Sequence, residues 1–215
     1  MAGQLSPEPI KVRTARGPAE VLVDPPVGQP VSVLALGHSA GGDIHAADLV
    51  AVRDAAVAGG VAVARIRQPY RVAGRRAPAP AGHLDEAWQA VLADVRSTSP
   101  YGELPLVVGG RSSGARVACR TAVPLEAVGV LALAFPLHPP SNPDRSRADE
   151  LKTGLPTLVV NGDADPFGVP DPGPGRQVRV IPGADHSLRR DLSGLAATVL
   201  DWLVEHGWAT ARSGA

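Results

Sequence analysis

The sequence predicts an α/β architecture: a mostly parallel sheet of about eight strands with helices on both faces and no cap domain. Three observations predict it. Short, nearly continuous apolar runs recur along the chain, the mark of strands buried on both faces. Stretches of helical spacing separate those runs, and strands alternating with helices close into a parallel sheet through right-handed crossovers. The 215 residues show no repeat and no linker, and 44% are hydrophobic against 20% charged, so one domain over 1–215 can bury a substantial core.

After a polar leader at 1–9, expected to be flexible, Ile10-Lys11-Val12-Arg13-Thr14 alternates apolar and polar with the period of a half-exposed strand. Gly17-Pro18 punctuates it, and Val21-Leu22-Val23 before Asp24-Pro25-Pro26 reads as its hairpin partner. The apolar runs follow at 31–36, 61–66, 104–108, 128–134, 157–160 and 178–181. Between them, 45–58 is Ala-rich and closed by Gly59-Gly60, 84–95 follows a Pro-rich loop, and 113–123 stops at Pro124. The last helix carries Leu192, Leu195, Ala196, Val199 and Leu203 on one amphipathic stripe, and 208–215 is expected to be a flexible tail. The polar stretch 138–154 is too short for a cap, so the site is expected to be open.

Lys+Arg and Asp+Glu both number 21, giving a formal net charge of zero. That balance argues against a nucleic-acid or anionic-membrane partner, which ordinarily requires a basic excess. No run approaches the ~18 apolar residues of a membrane span, and no signal peptide is visible, so a cytoplasmic location is expected. The abundance of Ala, Gly, Pro and Arg suggests a GC-rich bacterial genome. Cys119, the single cysteine, can form no intrachain disulfide and reads as a small core residue. Oligomeric state is not legible.

The chemistry concentrates in a few loops. Leu106-Val107-Val108-Gly109-Gly110-Arg111-Ser112-Ser113-Gly114-Ala115-Arg116 reads as strand, sharp turn and helix, and contains the Gly-x-Ser-x-Gly pattern of a nucleophile elbow. Residues two before and two after such a serine must be small so that strand and helix can approach. The turn also lifts the hydroxyl to a helix N-terminus, whose partial positive charge favours a developing oxyanion. The chain supplies a second match, Gly37-His38-Ser39-Ala40-Gly41, and position separates the two. Ser39 follows an early strand, whereas Ser112 follows a later central one and leaves room downstream for an acid and a base. The early Gly-rich loop then has another use, donating the second oxyanion N–H, which assigns Ala40 and Ser113 as the backbone donors.

An acid is expected at the C-terminal end of the strand in Pro156-Thr157-Leu158-Val159-Val160-Asn161-Gly162-Asp163-Ala164-Asp165, where it can fix an imidazole tautomer. Asp163 and Asp165 both qualify, and spacing leaves the choice open. His186, in Gly183-Ala184-Asp185-His186-Ser187 after the last strand, stands where the base belongs. His38 and His45, with Asp43 between, match no standard zinc spacing. No phosphate- or dinucleotide-binding pattern is present either, so neither a metal nor another cofactor is expected. Arg71, Arg75 and Arg76 follow the strand at 61–66, either as a solvated basic loop or as a site for an anionic part of a substrate.

Together these segments resemble a branch of the α/β-hydrolase superfamily: the small hydrolase-like domain shared by testis-expressed proteins, a subunit of the NSL chromatin complex and many bacterial proteins. The resemblance covers roughly residues 10–205. It is carried by residues 37–43, the elbow at 109–116, Phe135-Pro136-Leu137-His138-Pro139, Gly162-Asp163-Ala164-Asp165 and Ala184-Asp185-His186-Ser187. It implies an α/β-hydrolase fold, a small-molecule acyl substrate, and Asp165 rather than Asp163 as the acid. One departure stands out: the branch has His-Gly-Ala in the oxyanion loop where this chain has His38-Ser39-Ala40. More distantly the chain is similar to dienelactone hydrolases, which carry Cys where it has Ser112. The expectation is a serine hydrolase acting on an ester or related acyl bond, with Ser112, His186 and Asp165 as nucleophile, base and acid. The alternative is a non-catalytic binding or interaction module of the same fold, since fold alone does not fix function.

Overall fold

The structure, a computed structural model, describes residues 8–211. Its strands are β1 (Ile10–Thr14), β2 (Gly17–Asp24), β3 (Ser32–Gly37), β4 (Val61–Arg67), β5 (Leu106–Arg111), β6 (Gly129–Leu133), β7 (Thr157–Gly162) and β8 (Arg176–Ile181). They form one eight-stranded sheet in the order β1-β2-β4-β3-β5-β6-β7-β8. The β1–β2 and β2–β4 pairs are antiparallel and every later pair is parallel. The early strands enter as a hairpin, and the order turns back between β4 and β3. The C-terminal ends of β3, β5, β6, β7 and β8 therefore share one edge, where an open α/β sheet binds its ligands.

Helices α1 (Ala47–Ala58) and α5 (Leu192–Glu205) cover one face, and α3 (Ala81–Thr98) and α4 (Ser113–Thr121) cover the other. The two-residue period of the strands sorts their side chains between these layers. In β3, Leu34 and Leu36 face α1 and α5, while Val33 and Ala35 face α3 and α4. The smaller residues on the second face leave room for Trp88 of α3, only 1% exposed.

The structure departs from the sequence expectations in particular places. The run at 178–181 belongs to β8, an edge strand rather than one buried on both faces, and Val180 is 47% exposed. Among the described strands β8 pairs only with β7, and a short apolar run does not report how many strands or helices flank it. A four-residue helix, α2 (Pro69–Val72), follows β4, and a 3-10 turn (Ala148–Leu151) lies within the polar stretch 138–154. Glu150 of that turn pairs with Arg116 and Arg120 of α4, which holds the segment against the body. The expected flexible ends lie partly outside the described residues, at 1–7 and 212–215. Within the described part, 208–210 is instead tied down: Ser32 Oγ donates to Trp208 O, Thr210 N–H donates to Gly59 O, and Ala209 is buried. No described helix is long and apolar enough to cross a membrane.

Candidate active site

Ser112 sits between β5 and α4 with φ 55° and ψ −110°, a backbone conformation that a residue with a Cβ adopts only under constraint. Two features supply the constraint. Ser112 N–H donates to Leu133 O of β6 at 2.9 Å. Glycines also press backbone against backbone here: a Cβ on Gly110 would come 2.5 Å from Gly37 O, and one on Gly114 would collide with the same carbonyl. The small residues flanking Ser112 are thus required by the approach of the Gly37 loop as well as by the strand–helix turn.

From this elbow a line of hydrogen bonds runs across the edge of the sheet. Ser112 Oγ lies 2.9 Å from His186 Nε2, and His186 Nδ1 lies 2.8 Å from Asp165 Oδ2. The Asp165 carboxylate fixes the tautomer, because Nδ1 carries the proton it donates and Nε2 is left to accept from the serine. Asp165 Oδ1 accepts Phe167 N–H at 2.9 Å, and its side chain is fully buried. The Phe167 ring lies against the imidazole, with centroids 4.3 Å apart. Geometry also separates the two candidate acids. Asp163 is exposed and its Oδ1 accepts Gly183 N–H at 2.6 Å, so it pins the loop that precedes the histidine.

The Gly37 loop is ordered by a network the sequence reading missed. His38 is buried, 3% exposed, and it bridges two elements. Its Nδ1 lies 2.8 Å from Ser39 O, and its Nε2 accepts Gln68 N–H at 3.0 Å. Nδ1 is therefore the protonated nitrogen, and burial lowers the pKa of the ring below the ordinary histidine value. Ser39 O also accepts Gly42 N–H at 3.0 Å. With that carbonyl held twice, the N–H across the same trans peptide, that of Ala40, points the opposite way. Tyr70 O–H donates to Ala40 O at 2.6 Å and fixes the next peptide. Among the described residues, neither Ala40 N–H nor Ser113 N–H donates to a protein acceptor. The available signal for His38 was its place in a Gly-rich loop, but its Gln68 partner lies thirty positions away on another element.

The remaining candidates take lesser parts. Ser39 Oγ makes no hydrogen bond among the described residues, unlike Ser112 Oγ. Asp43 pairs with Arg67, and no group of three or more potential ligands for a metal occurs among the described residues. Cys119 is buried, and burial pushes its thiol up to about 12. Arg71 Nη1 donates to Arg75 O and so closes its own turn, while Arg75 and Arg76 are exposed. Arg111, in the elbow, donates from Nη2 to His186 O at 2.9 Å.

Comparison with known proteins agrees with this architecture. A family model described as an alpha/beta hydrolase domain matches residues 30–200. No curated protein matches the sequence. Among solved structures, the chain is similar to XC6422 from Xanthomonas campestris, described as an a/b serine hydrolase without lid. The two are 22% identical over 95% of each chain, with a TM-score of 0.76. It is also similar to an alpha-beta serine hydrolase homologue from Coxiella burnetii, at 19% identity over 92% of this chain and 97% of that one, with a TM-score of 0.74. A dienelactone hydrolase from Anabaena variabilis is 17% identical over 94% of this chain and 99% of its own, with a TM-score of 0.69. At these identities the likeness is one of fold.

Proposed function

Since the chain belongs to the alpha/beta hydrolase domain family, we propose that it is a serine hydrolase that cleaves an ester or related acyl bond through an acyl-enzyme at Ser112. The observation that carries this reading is the unbroken line from Ser112 Oγ through the His186 imidazole to the Asp165 carboxylate, set on a strained turn. A residue held at φ 55° is maintained by its surroundings at a cost, and such strain collects at reacting groups.

In the proposed cycle Ser112 Oγ attacks the acyl carbon while His186 Nε2 takes its proton. Asp165 holds the imidazole and stabilises the imidazolium without becoming protonated. The carbonyl oxygen becomes an oxyanion, received by the N–H groups of Ala40 and Ser113. Collapse of the adduct expels the alcohol or amine, which takes the proton back from His186. Water, deprotonated by His186, then attacks the acyl-enzyme and releases the acid, with the proton returned to Ser112. Neither N–H donates to a protein acceptor among the described residues, which supports their receiving the developing charge without first breaking a bond.

The reading is tested by labelling with a fluorophosphonate probe and by p-nitrophenyl acetate turnover in wild type, Ser112→Ala and Ser39→Ala. The expected result is loss of both signals in Ser112→Ala alone, by roughly 10⁴-fold or more. A folded wild type that neither labels nor turns over would overturn the reading in favour of a binding module.

A further inference from the structure

We propose that Arg111 is a positioning residue, which, braced by Asp48, grips the backbone of the histidine loop and sets the His186 imidazole at its working distance from Ser112. The inference rests on the reading of Ser112 and His186 as the reacting pair. Arg111 is the last residue of β5 and precedes Ser112 directly, so its side chain departs from the same rigid strand end as the nucleophile. Its Nη2 donates to His186 O at 2.9 Å, and its Nε lies 3.3 Å from Asp48 Oδ2 in the first turn of α1. Asp48 is only 1% exposed. Neither Arg111 Nε nor Asp48 Oδ2 completes a hydrogen bond, so the contact acts through charge, with Asp48 holding the guanidinium at its inner end. Arg189 is the other cation near that carboxylate.

The residues on either side are anchored, Gly183 by Asp163, Ala184 O by Ala164 N–H and Leu188 by burial, which leaves the three residues 185–187 between them for Arg111 to hold. Ser187 N–H donates to Asp185 Oδ1 and Leu188 N–H to Asp185 O, so these bonds close the turn on itself. Among the described residues, Arg111 is the one outside group hydrogen-bonded to the backbone of 185–187. The imidazole can keep its bond to Asp165 and still tilt if that carbonyl is released. Displacement of a catalytic group by about 1 Å can cost on the order of 10²-fold in rate. Arginine suits the task because its rigid fork meets two partners at once, whereas a lysine ammonium is a single point of contact.

The test compares wild type with Arg111→Lys, Asp48→Asn and the double variant Arg111→Met with Asp48→Asn. The double variant removes both charges together, which avoids a buried carboxylate left without its partner. Two readouts are used: the downfield proton resonance of His186 Nδ1–H, and the rate of fluorophosphonate labelling together with kcat and KM for p-nitrophenyl acetate. In the folded double variant the resonance is expected to broaden or vanish. Labelling and kcat are expected to fall about 10–100-fold with KM little changed. Arg111→Lys is expected to recover thermal stability but not rate. A folded double variant with the wild-type resonance and labelling rate would overturn the inference, as would a folded wild type with no such resonance. If wild type shows the resonance but does not label, the hydrolase reading fails while the brace is still judged by the resonance.

Discussion

Replacing Ser112 by glycine should make the protein more stable than replacing it by alanine, and the difference measures the strain in the elbow. Both changes delete the same Oγ and the same hydrogen bond to His186, so those losses cancel in the comparison. Alanine keeps a Cβ at φ 55°, whereas glycine occupies that region freely. Strain of this kind is worth about 1–3 kcal/mol. Glycine's extra freedom in the unfolded chain offsets roughly 0.4–1 kcal/mol of the relief. At the middle of these ranges the glycine variant is expected to be about 1–2 kcal/mol the more stable, which for a domain of this size raises the melting midpoint by ~2–8 °C. Thermal melts followed by circular dichroism, with urea titrations at fixed temperature, give the number directly. Equal midpoints, or a lower one for glycine, would refute the claim that β5, β6 and the Gly37 loop force the turn.

Two further outcomes follow from the same geometry. Asp165→Asn should lower kcat by about 10⁴-fold by presenting the wrong imidazole tautomer, while Asp163→Asn should leave turnover close to wild type; a reversed order would reassign the acid. His38 has a lowered pKa in the folded protein, so the unfolded chain binds the proton more readily. Its contribution to stability is present above the unfolded value of about 6.5 and is lost as pH falls through the folded value. His38→Asn should flatten that part of the acid slope in urea titrations between neutral and mildly acidic pH, and a slope unchanged from wild type would show that the ring does not titrate against folding.

The parts of this molecule that were legible in its sequence are those specified by local pattern. Glycines two before and two after Ser112, the apolar runs, and a histidine after the last strand each announce themselves within a few residues. Long-range partnerships did not. Asp163 and Asp165 are equivalent by spacing and differ only because Gly183 N–H meets one while the His186 ring meets the other. His38 looked like a bystander until Gln68, on another element, supplied its second bond. Arg111 sat in the freely variable position of the elbow pattern, and its partners belong to α1 and to the loop after β8. Helix α2 is too short to show a period, although Pro69 at its first turn was a local cue. The family match likewise reaches the hydrolase domain as a whole rather than the narrower branch whose motifs the sequence resembles.

The bare-backbone contact among Gly37, Gly110 and Gly114 has a consequence for engineering. It welds the nucleophile turn and the neighbouring loop into a single block, which cannot be retuned one half at a time. Adaptability must then reside in largely exposed segments that follow neighbouring strands without belonging to the block: 71–80 after β4 and 139–146 after β6. Under the proposed hydrolase function, a combinatorial library confined to those two stretches would vary what the site accepts while leaving Ser112, His186 and Asp165 in register, and it is where selection for a new substrate should begin.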